Sequence, residues 1–193
     1  MTDPYSWLRE KANPEVTKHL EAENAHTDRV MQPLKSLQDT LYQEMLGRIK
    51  QTDLGVPTRR GEFLYYSRTE DGKQYPYMCR RQGSMDAPEE VLLDLNALAA
   101  GHTFLGLGSY EVSDDGKWLA YSVDTTGYRE YTLQVKDLVT GRTLDERIER
   151  AGSVVWAADN RTLFYTTEDA VSKRSDTLWR HVVGTDRSDR LFQ

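Results

Sequence analysis

With 193 residues and a net charge of -6, the chain has material for one good-sized domain or two small ones, and it lacks the clustered Lys and Arg that a nucleic-acid groove needs. Mean hydropathy is low at -0.71, yet 4 Trp, 11 Tyr and 4 Phe supply core material, which argues against disorder of the whole chain. The single cysteine, Cys79, excludes an internal disulfide framework and metal sites of the CxxC type. In chain order, "MTDPYSWLREK" carries no apolar leader core, and no later run approaches the about 18 apolar residues of a membrane span, so a soluble cytoplasmic protein is expected. "NPEVTKHLEAENAHTDRVM" then opens as a helix, with Asn13 to cap it, Pro14 suited to its first turn and Glu15 at the positive end of its dipole. A second helical pattern follows Pro33, where Leu34, Leu37, Leu41, Met45 and Ile49 step by three or four residues until Gly55 and Pro57 stop it. Both helices are one-sided, so each needs something to bury its stripe against.

From Gly61 the period changes. "EFLYYSRTEDGKQYPYMCRR" reads as strand, Asp71-Gly72 turn and strand, and "EEVLLDLN" adds a short apolar run. The stretch from Tyr110 to Ile148 repeats the scheme with turns at Asp115-Gly116 and Thr140-Gly141, and residues 154–185 repeat it again with Asp159-Asn160. The segments align as copies: "SDDGKWLAYS" over "AADNRTLFYT", with "RRGEFLYYS" a looser first copy, so that Tyr66, Tyr121 and Tyr165 share one position. A second strand follows each, in "YPYMCRR", "YTLQVKD" and "DTLWRHV". A four-stranded unit at this spacing is the signature of a β-propeller blade, although a plain meander of hairpins also looks repetitive. The expected fold is therefore mainly β with an N-terminal helical arm and a partial β-propeller of about three blades, where closed propellers have about four to eight. "SDRLFQ" stops where another strand ought to begin, so the sequence is expected to be incomplete.

Catalytic and ligand motifs are sparse. No G-x-S-x-G elbow occurs; Ser109 in "GLGSY" reads as a loop serine, and "GHTFLGLGS" lacks the Lys of a P-loop. His19 and His26 lie seven apart, a poor metal spacing, and neither His102 nor His181 has an evident serine or cysteine partner. "DDG" at Asp114-Asp115 lacks the alternating ligands of a calcium loop and reads as a hairpin turn. Cys79 reads as a structural strand thiol, Asn160 in "NRT" as an accidental acceptor motif, and the basic pairs Arg59-Arg60 and Arg80-Arg81 as solvated faces. No cofactor, metal or catalytic residue is assigned.

Several stretches nevertheless carry a resemblance. "DPYSWL" (3–8), "NPEVTKHLEAENAHT" (13–27), "LYQEMLGRIKQTDLGVP" (41–57) and "YYSRTEDGKQYPYMCRR" (65–81) resemble the N-terminal part of the oligopeptidase B group within the prolyl oligopeptidase family of serine peptidases. "APEEVLLDLN", "VSDDGKWLAYSVDTTGYREYTLQVKDL" and "GSVVWAADNRTLFYTTED" continue it over nearly the whole chain. The resemblance implies that residues 1–57 are a helical arm that packs on a C-terminal α/β-hydrolase domain, and that 58–193 are the first blades of a seven-bladed propeller. It also implies acyl transfer by a serine, histidine and aspartate that all lie beyond Gln193, so no catalytic residue carries over to this chain. Cleavage after Arg or Lys in short peptides, admitted through the propeller, would belong to the intact enzyme, and the chain alone would be inactive. A stand-alone propeller-type binding module and a non-functional truncated product remain as alternatives.

Overall fold

The computed structural model describes residues 3–193; residues 1 and 2, where the expected arm begins, lie outside them. The chain divides into two compact units, Met1–Lys50 and Gln51–Gln193.

The first unit is helical. A 3-10 turn at Ser6–Arg9 precedes α1 (Pro14–Met31), and a second at Gln32–Leu34 leads into α2 (Lys35–Arg48). Asn13 caps α1 as its sequence requires, its side-chain oxygen accepting from the Glu15 amide at 3.0 Å. Pro33 falls in the linking 3-10 turn, because proline supplies no amide to an α-helical ladder. Trp7 meets His19 edge to face, with ring centroids 5.4 Å apart. Val16 is the one buried residue of α1, and α2 has none.

The second unit holds three four-stranded antiparallel sheets. The first contains β1 (Thr58–Arg60), β2 (Phe63–Arg68), β3 (Tyr77–Gln82) and β4 (Glu90–Asp94). A short helix, α3 (Leu95–Leu98), leads to the second, made of β5 (Gly106–Val112), β6 (Trp118–Asp124), β7 (Thr132–Asp137) and β8 (Ile148–Glu149). The third contains β9 (Ala151–Trp156), β10 (Thr162–Glu168), β11 (Ser175–Val182) and β12 (Ser188–Phe192). Each sheet is a meander in chain order, and the set does not close.

The repeat seen in the sequence is the repeat of the fold. Tyr66, Tyr121 and Tyr165 lie in the second strand of their sheets, and all three are buried. The turns at Gly72, Gly116, Gly141 and Asn160 all take positive φ. Short aspartates organise the hairpins: Asp137, Asp159 and Asp169 each accept amides two and three residues on, at 2.7–3.2 Å. Asp115 does the same for the Lys117 amide, which is the turn role expected of "DDG".

Two core clusters show that the sheets stack face to face. Leu92, Leu93, Leu95 and Leu105 pack on Val112, Leu119, Tyr121 and Val123 of the second sheet. Its opposite face, with Ala120, Leu133 and Val135, packs on Val154, Leu163, Tyr165 and Val183 of the third. Successive strand residues point to opposite faces, so a strand covered on both sides is buried along its length: six of the seven residues of β6 are buried, and its two polar ones, Ser122 and Asp124, are hydrogen-bonded.

Three sequence expectations need correction. Ser109 is in β5 rather than a loop. "GLGS" hides a strand because β5 bulges there: a Cβ on Gly108 would lie 2.5 Å from Ser122 Oγ and 2.7 Å from the Tyr131 ring, so the close approach excludes a side chain. "SDRLF" is not the start of a missing strand but β12, the fourth strand of the third sheet, paired to β11. The third correction concerns the basic pairs. Arg59 and Arg60 are exposed, but Arg80 is buried and Arg81 is partly buried.

Candidate functional site

The helical unit presents an extended apolar surface. At about 100° per residue, Leu34, Leu37, Leu41 and Met45 fall in one row and Tyr42, Leu46 and Ile49 widen it to about half the circumference. All seven are exposed, Leu37 at 55% and Met45 at 59%. Leu34, Leu37, Leu41, Tyr42 and Met45, with Met31, border a shallow groove of about 650 Å³. Apolar area of this extent is costly to leave in water, and burial against another surface would recover that cost.

The sheets use their polar side chains mainly to join one to the next. Arg80 is the central example: its guanidinium lies 4.1 Å from the centre of the Phe63 ring, pairs with Glu90 at 2.7 and 3.0 Å, and donates to the Gly116 carbonyl of the second sheet at 2.5 Å. Burial works against its charge, and Glu90 and Tyr65 more than offset that. Lys136 Nζ donates to the Leu92 carbonyl at 2.8 Å, Trp156 Nε1 to the Glu111 carbonyl at 2.9 Å, and Ser109 Oγ to the Gly152 carbonyl at 2.9 Å. The Asp115 amide donates to Asn160 Oδ1 at 3.0 Å, which gives the "NRT" asparagine a turn-linking role.

A second network lies inside the first sheet. Tyr66 donates its hydroxyl to Glu89 at 2.7 Å and accepts from Arg81 Nε at 2.7 Å, while Arg68 donates to Glu89 at 2.9 Å and covers the Tyr77 ring at 4.2 Å. Burial pushes the Glu89 carboxyl upward, but the bonds from Tyr66 and Arg68 outweigh it and hold the group below the usual carboxylate range. Cys79 lies beneath, fully buried, its thiol pushed up to about 11 by burial first and the nearby Glu89 charge second. Such a thiol is a core group, as expected, and not a nucleophile.

His181 differs from expectation. It is buried in β11 and does have a serine partner: Nδ1 is 3.0 Å from Ser188 Oγ, and Nε2 is 2.8 Å from Glu146. Sequence missed both, because Glu146 comes from the loop before β8 and Ser188 meets His181 only through the β11–β12 register. Ser, His and Glu in a chain suggest acyl transfer by residue type, but Ser188 is the direct ladder neighbour of His181, and Glu146 also takes the Gly184 amide at 3.3 Å. The arrangement clasps the second sheet to the third. Among the described residues, no helix is long and apolar enough to cross a membrane.

Stacked four-stranded meanders following a helical arm define the class: a β-propeller segment with an appended helical unit. The chain belongs to the prolyl oligopeptidase family of peptidases, whose N-terminal beta-propeller domain model matches residues 1–192. It is 43% identical over 204 residues to dipeptidyl aminopeptidase BI of Pseudoxanthomonas mexicana, covering 96% of this chain and 28% of that protein. Among solved structures it resembles oligopeptidase B from Leishmania major (30% identity, TM-score 0.85, 99% of this chain and 28% of that one). It also resembles oligopeptidase B from Trypanosoma brucei, solved in a closed form with covalently bound antipain (33% identity, TM-score 0.84, 100% of this chain and 28% of that one). The chain thus spans under a third of the length of these relatives.

Proposed function

We propose that this chain is the N-terminal segment of a cytoplasmic serine endopeptidase that hydrolyses short peptides after Arg or Lys. Residues 1–57 form the arm that packs on an α/β-hydrolase domain, and residues 58–193 form the first three blades of a seven-bladed propeller that admits only short or unfolded peptides. The serine, aspartate and histidine that carry the acyl transfer lie beyond Gln193, so the segment by itself is inactive. The observation that carries this reading is the α2 row: an apolar face with no buried residue, in a chain of this family, calls for a domain to cover it. The Trypanosoma brucei relative, with antipain bound covalently, supports covalent catalysis in the intact enzyme.

The test is amidase activity on a blocked Arg-Arg substrate, for the chain alone and after mixing with the separately produced hydrolase portion. Silence alone and activity on mixing is the expected result. Activity of the purified chain alone overturns the assignment of the catalytic groups to the other domain. A stand-alone binding module predicts no activity in either case and a stable monomer. The likeness to a dipeptidyl aminopeptidase favours a second reading, release of dipeptides from free N-termini. Faster turnover of the unblocked than of the blocked substrate would select it.

A further inference from the structure

On the flank of the second sheet, a cleft of about 500 Å³ opens between the segment after α3 and strands β6 to β8, with the β10–β11 hairpin on its other side. Leu98, Leu105, Val123 and Ala170 supply apolar wall, and the remaining lining is polar. The volume suits a small organic molecule.

Gln134 of β7 lines this cleft and is only 8% exposed. Its Oε1 accepts from the Tyr121 hydroxyl at 3.2 Å, whereas Nε2 has no hydrogen-bond partner among the described residues. Nε2 is not fully enclosed, so it opens to the solvent of the cleft and its donors are free to meet a ligand there in place of water. The charged groups around it are unequally engaged. Lys173 is neutralised by Glu130 at 2.6 Å. Arg147 and Arg150 also line the cleft, and neither forms an ion pair among the described residues; opposite them stands one unpaired acid, Glu149. Arg150 is held at a φ of 55° between β8 and β9, a left-handed backbone that non-glycine residues seldom adopt. Asp169 also lies within electrostatic reach of Arg150, so the charges around the cleft are close to balanced, and the N–H groups left for a ligand are those of Arg147, Arg150 and Gln134.

We propose that this cleft binds a small molecule through an oxyanion group, a carboxylate or a phosphate, received by Gln134 Nε2 and the guanidinium groups of Arg147 and Arg150. Guanidinium forks match either oxyanion, and the buried amide sets its orientation. Glu149 restricts the ligand to one whose remainder is neutral or cationic, because a second anionic group would be repelled.

The experiment uses the full chain, labelled with nitrogen-15, titrated separately with inorganic phosphate and with acetate while the Gln134 side-chain amide resonance is followed. Saturable movement of that resonance with phosphate identifies a phosphate-type ligand, and with acetate a carboxylate-type one. In Arg147→Gln/Arg150→Gln the affinity should fall at least about tenfold, because two charge-assisted bonds are lost. The single variant Arg150→Gln, at an exposed position, provides the same comparison should the double variant fold poorly. Arg187→Gln, an exposed arginine outside the cleft, should bind as the parent does. No saturable movement below about 50 mM of either anion, a range reaching well past the millimolar Kd scale, overturns the proposal. Unchanged affinity in the arginine variants overturns it too.

Discussion

Replacing Arg80 with methionine isolates what joins the first two sheets. Methionine keeps most of the apolar stem and removes the charge and every donor. The Gly116 carbonyl, which Arg80 satisfies at 2.5 Å in a buried setting, is left without that partner, a loss of about 1–3 kcal/mol. The guanidinium over Phe63 at 4.1 Å contributes about 0.5–2 kcal/mol more. The Glu90 pair adds little, about 0–1 kcal/mol, because that carboxylate is 42% exposed and water takes over its solvation. Arg80→Met should therefore cost about 1.5–6 kcal/mol, whereas Glu90→Gln should cost under about 1 kcal/mol. Urea unfolding followed by tryptophan fluorescence measures both. A Glu90→Gln variant as unstable as Arg80→Met would refute the reasoning, since the ion pair would then outweigh the carbonyl bond and the ring contact. So would an Arg80→Met variant within about 0.5 kcal/mol of the parent, the range of ordinary surface changes.

Two further predictions concern the neighbouring network. The Glu89 carboxyl is held below its ordinary value, so the stability it contributes is present above the unfolded pKa of about 4.3 and is lost as pH falls through the folded value. Glu89→Gln should lower stability at pH 7 and flatten the acid limb of a stability-versus-pH curve; an acid limb as steep as the parent's would count against the network. Cys79, fully buried with its thiol near 11, should react with a disulfide reagent at pH 8 only as fast as the sheet opens. Rapid labelling of the folded chain would show that the site is accessible.

Much of the fold was legible because local rules and tertiary demands agree. Asn13 and Pro14 start α1 whatever lies around them, since capping satisfies the amides of its own first turn. The turns at Asp115-Gly116 and Asp159-Asn160 follow from backbone sterics, and the shared tyrosines of β2, β6 and β10 from the need of each sheet to bury the same position. The family resemblance rested on the same repeated phrases and on the arm, and the family match spans both. What escaped sequence reasoning has no local signature. β1 is three exposed residues with no apolar alternation, and β5 carries two glycines that propensity counts against a strand.

The candidate site divides the same way. The exposed row of α2 could be read from spacing alone, because helical periodicity is a property of the chain. The burial of Arg80 depends on a carbonyl 36 residues away, and His181 finds Glu146 35 residues back along the chain. The two arginines facing Gln134 come from the β8 end, and only sheet stacking brings them to one cleft. By itself, then, the sequence determined the helices, the hairpins and their threefold recurrence, since each is decided by a few adjacent residues and the steric limits of their backbone. Which charges are buried, which amide lacks a partner and which histidine meets a serine were decided only by the tertiary structure, because burial and pairing are properties of surfaces that meet after the strands have formed.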